Sequence, residues 1–319
     1  MAIPRKRFFN RFSHASHGLL GVLAWKLGLA GKEPLPVLPA KYMEVFSAAA
    51  NQVAPISHAP ASDRMRVTWI GHSTFLLQHR GCNILTDPIF GDCSPLPIGG
   101  LSRAAPPGLA LEALPPIHDV LISHSHYDHL DLRTIRALGR EVRYWVPEKL
   151  SGWFRRRGFD NCHELRWWES AALAEGMELH CVPAQHFSAR GLFDRNRTHW
   201  CGWVLKSAER SAYFAGDTGY CPHFLEIGQR FGGFDLSMLP IGAYNPRWLM
   251  QPMHLDPAQA VQVHLDTASR LSVACHWGTF RLTDEPMNEP PQLLRQELDA
   301  RHIGPQTFRV MRFGESIDV

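Results

Sequence analysis

The chain has 319 residues, 45% hydrophobic and 20% charged, enough to bury a large core as one big domain or two fused halves. Its 33 Lys and Arg against 30 Asp and Glu leave a net charge of +3, too small an excess to argue for a nucleic-acid partner. No apolar run reaches the roughly eighteen residues that cross a bilayer. The seven cysteines (Cys82, Cys93, Cys162, Cys181, Cys201, Cys221 and Cys275) form no C-x-x-C pair. They read as buried reduced thiols in a cytosol-like compartment, not as metal ligands.

In chain order, residues 1–62 form a leader rich in Pro and Ala. Within it, "GLLGVLAWKLGLAG" (Gly18 to Gly31) follows a basic stretch and predicts an amphipathic helix. Packing on the body, peripheral contact with an anionic membrane and service as an export signal all stay open for it. A second helix is predicted near Lys41 to Gln52. From residue 63 the chain reads as one domain, 63–319. "RVTWIGHSTFLLQHRGCNILTDPIF" predicts strands broken by a tight turn at Arg80-Gly81. A Pro- and Gly-rich connection, Pro88 to Asp119, is long enough to shape a site. Further on, "RYWVP", "CHELRWW", "ELHCVPAQH", "FDLSMLPIG" and "RLSVACHWGTF" predict strands, and "HWCGWVLKS" with "SAYFAGDTG" a hairpin. "EKLSGWFRRRG", "PHFLEIGQRFG", "DPAQAVQVHLDT" and "PPQLLRQELDARHI" predict helices, the third opened by Asp256 as N-cap and Pro257 at the first position. Two groups of strands mixed with helices predict two sheets packed face to face with helices outside.

The chemistry concentrates in "VLISHSHYDHLDL", Val120 to Leu132. A short apolar strand runs into a loop carrying His124, His126, Asp128 and His129, ahead of a helix from about Leu132 to Gly139. Imidazole and carboxylate are the donors preferred by zinc and similar divalent ions. Neighbouring side chains on so short a turn point apart, so four donors imply two adjacent ions with partners from elsewhere. Three other strand ends supply them: His186 in "PAQH", Asp217 in "FAGDTGY" and His276 in "VACHWGT". A carboxylate can bridge ions about 3.5–4 Å apart, which makes Asp217 the expected bridge.

This pattern resembles the metallo-β-lactamase superfamily. Within it, the segments "WIGHSTFLL", "ILTDPIF", "FAGDTGYCPHFLEIGQRFGGFDLSMLPIGAYNPRW", "HLDPAQAV" and "HWGTF" resemble the N-acyl-phosphatidylethanolamine-hydrolysing phospholipase D family, over about Arg66 to Glu315. The resemblance implies a four-layer αββα sandwich. It implies one zinc on His124, His126 and His186, a second on Asp128, His129 and His276, and Asp217 shared; manganese or iron would accept the same donors. It implies that Asp87 orients a ligand histidine, and that His72, Tyr244 and His254 lie at the substrate. Asp217 and Asp128 would serve the reacting water, and His254 the leaving group. Two positions depart from the family pattern: Asn245 stands where an acid is expected in "GAY-x-PRW", and Phe187 follows His186 where Trp is common.

The implied activity is hydrolysis of a phospholipid diester to N-acylethanolamine and phosphatidic acid. The loop from Pro88 to Asp119 and aromatics near Tyr244 and Trp248 are expected to wall an acyl channel. The rivals are a sugar-phosphate lactonase on the same donor set and a metal-stabilised binding protein without catalysis. The latter fits poorly, since structural zinc sites are closed four-ligand sites rich in cysteine.

Overall fold

Residues along the inner strands of the first sheet alternate between two apolar environments, and this period of two creates the layers. A computed structural model of the protein describes residues 7–15, 17–30, 33–34, 37, 63–93, 101–191 and 193–319. The helix predicted near Lys41 to Gln52 lies outside the described residues. In β1 (Met65–Gly71), Val67 and Trp69 face one way and Ile70 the other. Phe75 and Leu77 oppose Leu76 in β2 (Thr74–His79), and Ile84 opposes Leu85 in β3 (Cys82–Thr86). The same split continues in β4 (Asp119–Leu121) and β5 (Arg143–Pro147), where Leu121 and Trp145 oppose Val120, Tyr144 and Val146. With β6 (Cys162–Leu165) and the C-terminal β14 (Ser316–Asp318), these strands form a seven-stranded sheet ordered β14-β1-β2-β3-β4-β5-β6.

The second sheet also has seven strands, laid side by side in chain order. They are β7 (Ser170–Ala172), β8 (Glu178–Val182), β9 (Gly202–Lys206), β10 (Ser211–Phe214), β11 (Phe234–Pro240), β12 (Ser269–Cys275) and β13 (Phe308–Arg309). Each sheet is antiparallel at one end and parallel at the other: pairing turns parallel from β3 to β6 in the first and from β10 to β13 in the second. Trp69 and Phe75 of the first sheet meet Trp203, Leu205 and Met238 of the second in one core. Burying each such side chain contributes about 1.5–3 kcal/mol.

Helices cover both outer faces. Ile135 of α2 (Leu132–Leu138) and Phe154 of α3 (Ser151–Arg155) pack on the outer side of the first sheet. Over the second lie α4 (His223–Phe231), α6 (Pro257–Asp266) and α7 (Glu289–Ala300), which contribute Ile227, Val261 and Leu294 to the core. The predicted cap of α6 is present as a full capping box between Asp256 and Gln259. The architecture is the αββα sandwich.

The leader packs on this body. Asn10 accepts from the His186 N–H at 3.1 Å and donates to the His186 carbonyl at 2.9 Å. Glu33 accepts from the backbone N–H groups of Arg247 and Trp248 at the start of α5 (Arg247–Met250). Between them runs α1 (Gly18–Lys26). It is not amphipathic as predicted. Leu20, Leu23 and Leu27 lie outward at 81%, 46% and 69% exposure, and Val22, 38% exposed, borders a cavity of the body. With Gly, Leu, Val and Ala at nearly every position of "GLLGVLAWK", no polar stripe exists to separate the faces.

Candidate metal centre

Five strands end at one place. Asp87 directly follows β3, His124 to His129 follow β4, His186 follows β8, Asp217 follows β10, and His276 directly follows β12. Chain-distant residues meet here because one edge of both sheets delivers them. Backbone conformation adds to this: His72, Asp87, Ala243 and His276 all have positive φ (52°, 33°, 63° and 59°), a region costly for residues with a Cβ. Glycines admit the close approaches. A Cβ on Gly242 would lie 2.2 Å from the His276 carbonyl oxygen, and Gly216, at φ +61°, leaves room for Ser123.

Hydrogen bonds define which ring nitrogens are bare. Asp87 is fully buried and accepts from Ser123 N (2.6 Å), Ser123 Oγ (2.5 Å) and His129 Nδ1 (2.7 Å). His129 thus carries its proton on Nδ1, and its Nε2 points at Asp217 Oδ2 (3.1 Å) and Asp128 Oδ2 (3.2 Å). Because Ser123 Oγ spends its hydrogen on Asp87, it accepts from His124 Nδ1 at 2.8 Å and leaves His124 Nε2 bare. His186 Nδ1 donates to the Met253 carbonyl at 2.9 Å, which bares its Nε2.

The donor atoms fall into two adjoining groups, each within 4.8 Å: His124, His126, His186 and Asp217, and His72, Asp128, His129 and His276. In the first, His126 Nδ1 lies 2.7 Å from His124 Nε2 and 3.2 Å from His186 Nε2. Burial holds these imidazoles neutral, pushing His124 well down, His126 to about 4 and His186 to about 3. Two bare nitrogens thus face a third across hydrogen-bond distance, an arrangement a shared cation satisfies. In the second group burial opposes charging, yet Asp217, Asp128 and Asp87 hold His129 well above its ordinary value, and Asp217 and Asp128 lift His276 to about 9. The site is rich in negative charge. His129 Nε2, His276 Nε2 and Asp217 Oδ1 are buried without a hydrogen-bond partner. These residues fit a pair of divalent ions, with Asp217 Oδ2 between the groups, 3.1 Å from His276 and 3.7 Å from His186.

All seven sequence-predicted ligands come together. His72, expected at the substrate, joins the second donor group: it is buried, its Nε2 is 3.0 Å from Asp128 Oδ2, and burial lowers it to about 3. Tyr244 also lies elsewhere than expected, its buried hydroxyl donating to Glu289 of α7 at 2.6 Å. Asn245 turns its backbone N–H to Glu285, and Asp284 on the adjacent loop accepts from Trp25 of α1. His254 reaches the site, with its Nδ1 4.0 Å from Asp217 Oδ2 and burial lowering it to about 3.

A cavity of about 220 Å³ opens onto His126, Asp128, Asp217 and His254. Its apolar wall is Val22, Phe187, Leu249, Met250, Met253 and Leu282. Among the described residues, neither the connection after Pro88 nor Trp248 lines it. Ile89 and Cys93 of that connection pack on Phe280, and Trp248 stands edge-on to His17. Arg195 brings a positive charge to the cavity, its guanidinium 4.0 Å from the Phe187 ring. Sequence patterning missed Ser123, Asn10 and Val22. Ser123 could have been flagged as the hydroxyl preceding the first histidine, whereas nothing local marks Asn10 or Val22.

The sandwich with this His/Asp cluster along one edge defines a metal-dependent hydrolase, and the chain belongs to the metallo-β-lactamase superfamily. The family described as Beta-lactamase superfamily domain matches residues 82–277. Among relatives, the chain is 39% identical over 263 residues to N-acyl-phosphatidylethanolamine-hydrolyzing phospholipase D 1 of Caenorhabditis elegans, covering 78% of this chain and 74% of that one. It is 43% identical over 265 residues to an uncharacterized protein of Mycobacterium tuberculosis, 81% of this chain and 69% of the other. The solved structure of isothiocyanate hydrolase from Delia radicum gut bacteria shares the fold, with a TM-score of 0.66 at 22% identity over 79% of this chain and 98% of that one. Among the described residues, no helix is long and apolar enough to cross a membrane.

Proposed function

We propose that the protein is a binuclear zinc phosphodiesterase of the phospholipase D type, cleaving N-acyl-phosphatidylethanolamine-like phospholipids into N-acylethanolamine and phosphatidic acid. The observation that carries this reading is the cavity, in which an apolar wall leads directly to Asp217, Asp128 and His254, with Arg195 beside it. An amphipathic phosphodiester needs both halves. The name of the Caenorhabditis elegans relative points the same way.

In this reading His124, His126 and His186 would hold one ion, Asp128, His129 and His276 the other, and Asp217 would serve both. Such ions, when bound, would supply positive charge toward a phosphoryl group and would lower the pKa of a water molecule. Asp87 keeps His129 and, through Ser123, His124 in the tautomers that ligation requires. Asp128, braced by His72, offers a carboxylate oxygen that orients the attacking water. His254, held neutral by burial, would relay to the departing ethanolamine oxygen the proton that the attacking water gives up, so that the alcohol leaves neutral. The apolar wall holds acyl chain and excludes water, each buried methylene contributing about 0.8 kcal/mol.

The test is a chain-length series. N-acyl phosphatidylethanolamines of increasing acyl length, in mixed micelles at fixed interface, should show rising kcat/KM until the cavity is filled. Turnover in oxygen-18 water should place the label in phosphatidic acid, because phosphorus is attacked and the ethanolamine oxygen leaves. A flat series with rapid opening of a sugar-phosphate lactone would transfer the assignment to a lactonase.

A further inference from the structure

A second cavity, of about 470 Å³, lies beside the metal-binding loop and shares no lining residue with the first. Four cations line it, Lys149, Arg156, Arg190 and Arg197, against one acid, Asp194. Asp194 is already engaged, its Oδ1 accepting from the backbone N–H groups of Arg190 (3.0 Å) and Gly191 (2.8 Å). Among the described residues, no carboxylate forms an ion pair with Lys149, Arg156 or Arg197. Arg190 is committed to carbonyl oxygens, its Nη1 donating to Ser125 and Leu130 at 2.8 Å each and to His126 at 3.3 Å. Burial lowers it to about 10, which reflects the cost of keeping that charge in place. Lys149 holds a positive φ of 67°, a conformation disfavoured for lysine, beside the Phe8 ring.

Like charges gathered around one space repel each other unless an anion sits among them. Guanidinium groups favour the tetrahedral, multiply charged oxygens of phosphate, which they bind bidentately. We propose that this cavity is a binding site for a phosphate-class anion, either the phosphomonoester headgroup of a lipid or free phosphate. It is separate from the metal centre and does not depend on the substrate assigned there. Its connection to that centre is Arg190, which fastens the backbone of the ligand-bearing loop.

The probe is inorganic phosphate, titrated into the metal-loaded full chain at constant ionic strength by calorimetry. A phosphate site should be present in wild type, survive in Asp217→Asn, and weaken at least tenfold in the Arg156→Gln/Arg197→Gln double variant. Unchanged affinity in the double variant, or equal heat from chloride, overturns the proposal. If the double variant melts early, the exposed Lys149→Gln replaces it; a weakening below threefold there is equally fatal. Vesicles containing phosphatidate or phosphatidylglycerol, matched in surface charge, distinguish the sources. Capture by phosphatidate alone, competed by phosphate and lost in the same variants, supports the lipid headgroup. Phosphate binding without such capture supports the free anion.

Discussion

Asp87 and Asp217 are both buried carboxylates at strand ends, yet they do different work. Asp87 accepts three hydrogen bonds and reaches both donor groups through His129 and Ser123. In Asp87→Asn one acceptor oxygen becomes an NH₂ group, which cannot accept from both a serine and an imidazole N–H. The His129 tautomer is then no longer enforced, and metal affinity should fall by about 10–100-fold. Competition with a chromophoric chelator measures this, and unaltered affinity would show that Asp87 is structural only. Asp217 instead places Oδ2 within 4.0 Å of His124, His129, His186, His254 and His276. An amide there bridges two cations poorly, so Asp217→Asn should lose at least about a hundredfold in turnover while remaining folded. Undiminished hydrolysis in that variant would sink the binuclear mechanism.

Among the elements, α1 has two tasks that can be separated. Val22, itself 38% exposed, borders the cavity at the metal centre, while Leu20, Leu23 and Leu27 are exposed at 81%, 46% and 69%. Lys26, the last residue of the helix, lies between Leu23 and Leu27, so this exposed segment combines apolar side chains with positive charge. This arrangement supports peripheral contact with an anionic membrane. Replacing Leu20, Leu23 and Leu27 by Glu should sharply reduce cosedimentation with anionic vesicles and leave turnover of a soluble phosphodiester unchanged. Equal sedimentation of variant and parent would refute the membrane role. Deleting the whole leader is a poorer experiment. It also removes Asn10, whose amide grips the backbone of His186, so a ligand would loosen together with the lipid contact.

For the molecule as a whole, the metal centre joins the two sheets. His124, His126, Asp128 and His129 come from the first, and His186, Asp217 and His276 from the second. Trp203 of β9 makes a parallel link, its indole N–H donating to the Ile122 carbonyl at 3.1 Å across the sandwich. Ions bound only by the assembled sandwich stabilise it by mass action, about 4 kcal/mol for a site at a thousandfold excess over its Kd. Removal of metal by a chelator should therefore lower the melting temperature by several degrees, and added zinc should restore it. A melting curve indifferent to chelation would mean that the donors bind no ion in the folded state.

The His and Asp side chains that cluster at the sheet edge, the cap of α6 and most strands were legible in the sequence, because each is marked by residue type and spacing within a few neighbouring positions. His/Asp density on one tight loop and a period-two alternation are local signals. Three of the short strands, β7, β13 and β14, were not legible, since unlike β4 they carry no continuous apolar run. Two or three residues carry too little pattern, and β14 exists only because Arg66 to Thr68 of β1 offer it an antiparallel partner. Side-chain direction was not legible either. Tyr244 bonds Glu289 of α7, and His72 bonds Asp128 within the His/Asp cluster, directions that no local pattern gives. The cavity wall was decided entirely by tertiary packing: Val22, Met253 and Leu282 are far apart in the chain and ordinary in composition. Lining one cavity gives them a role that no spacing encodes.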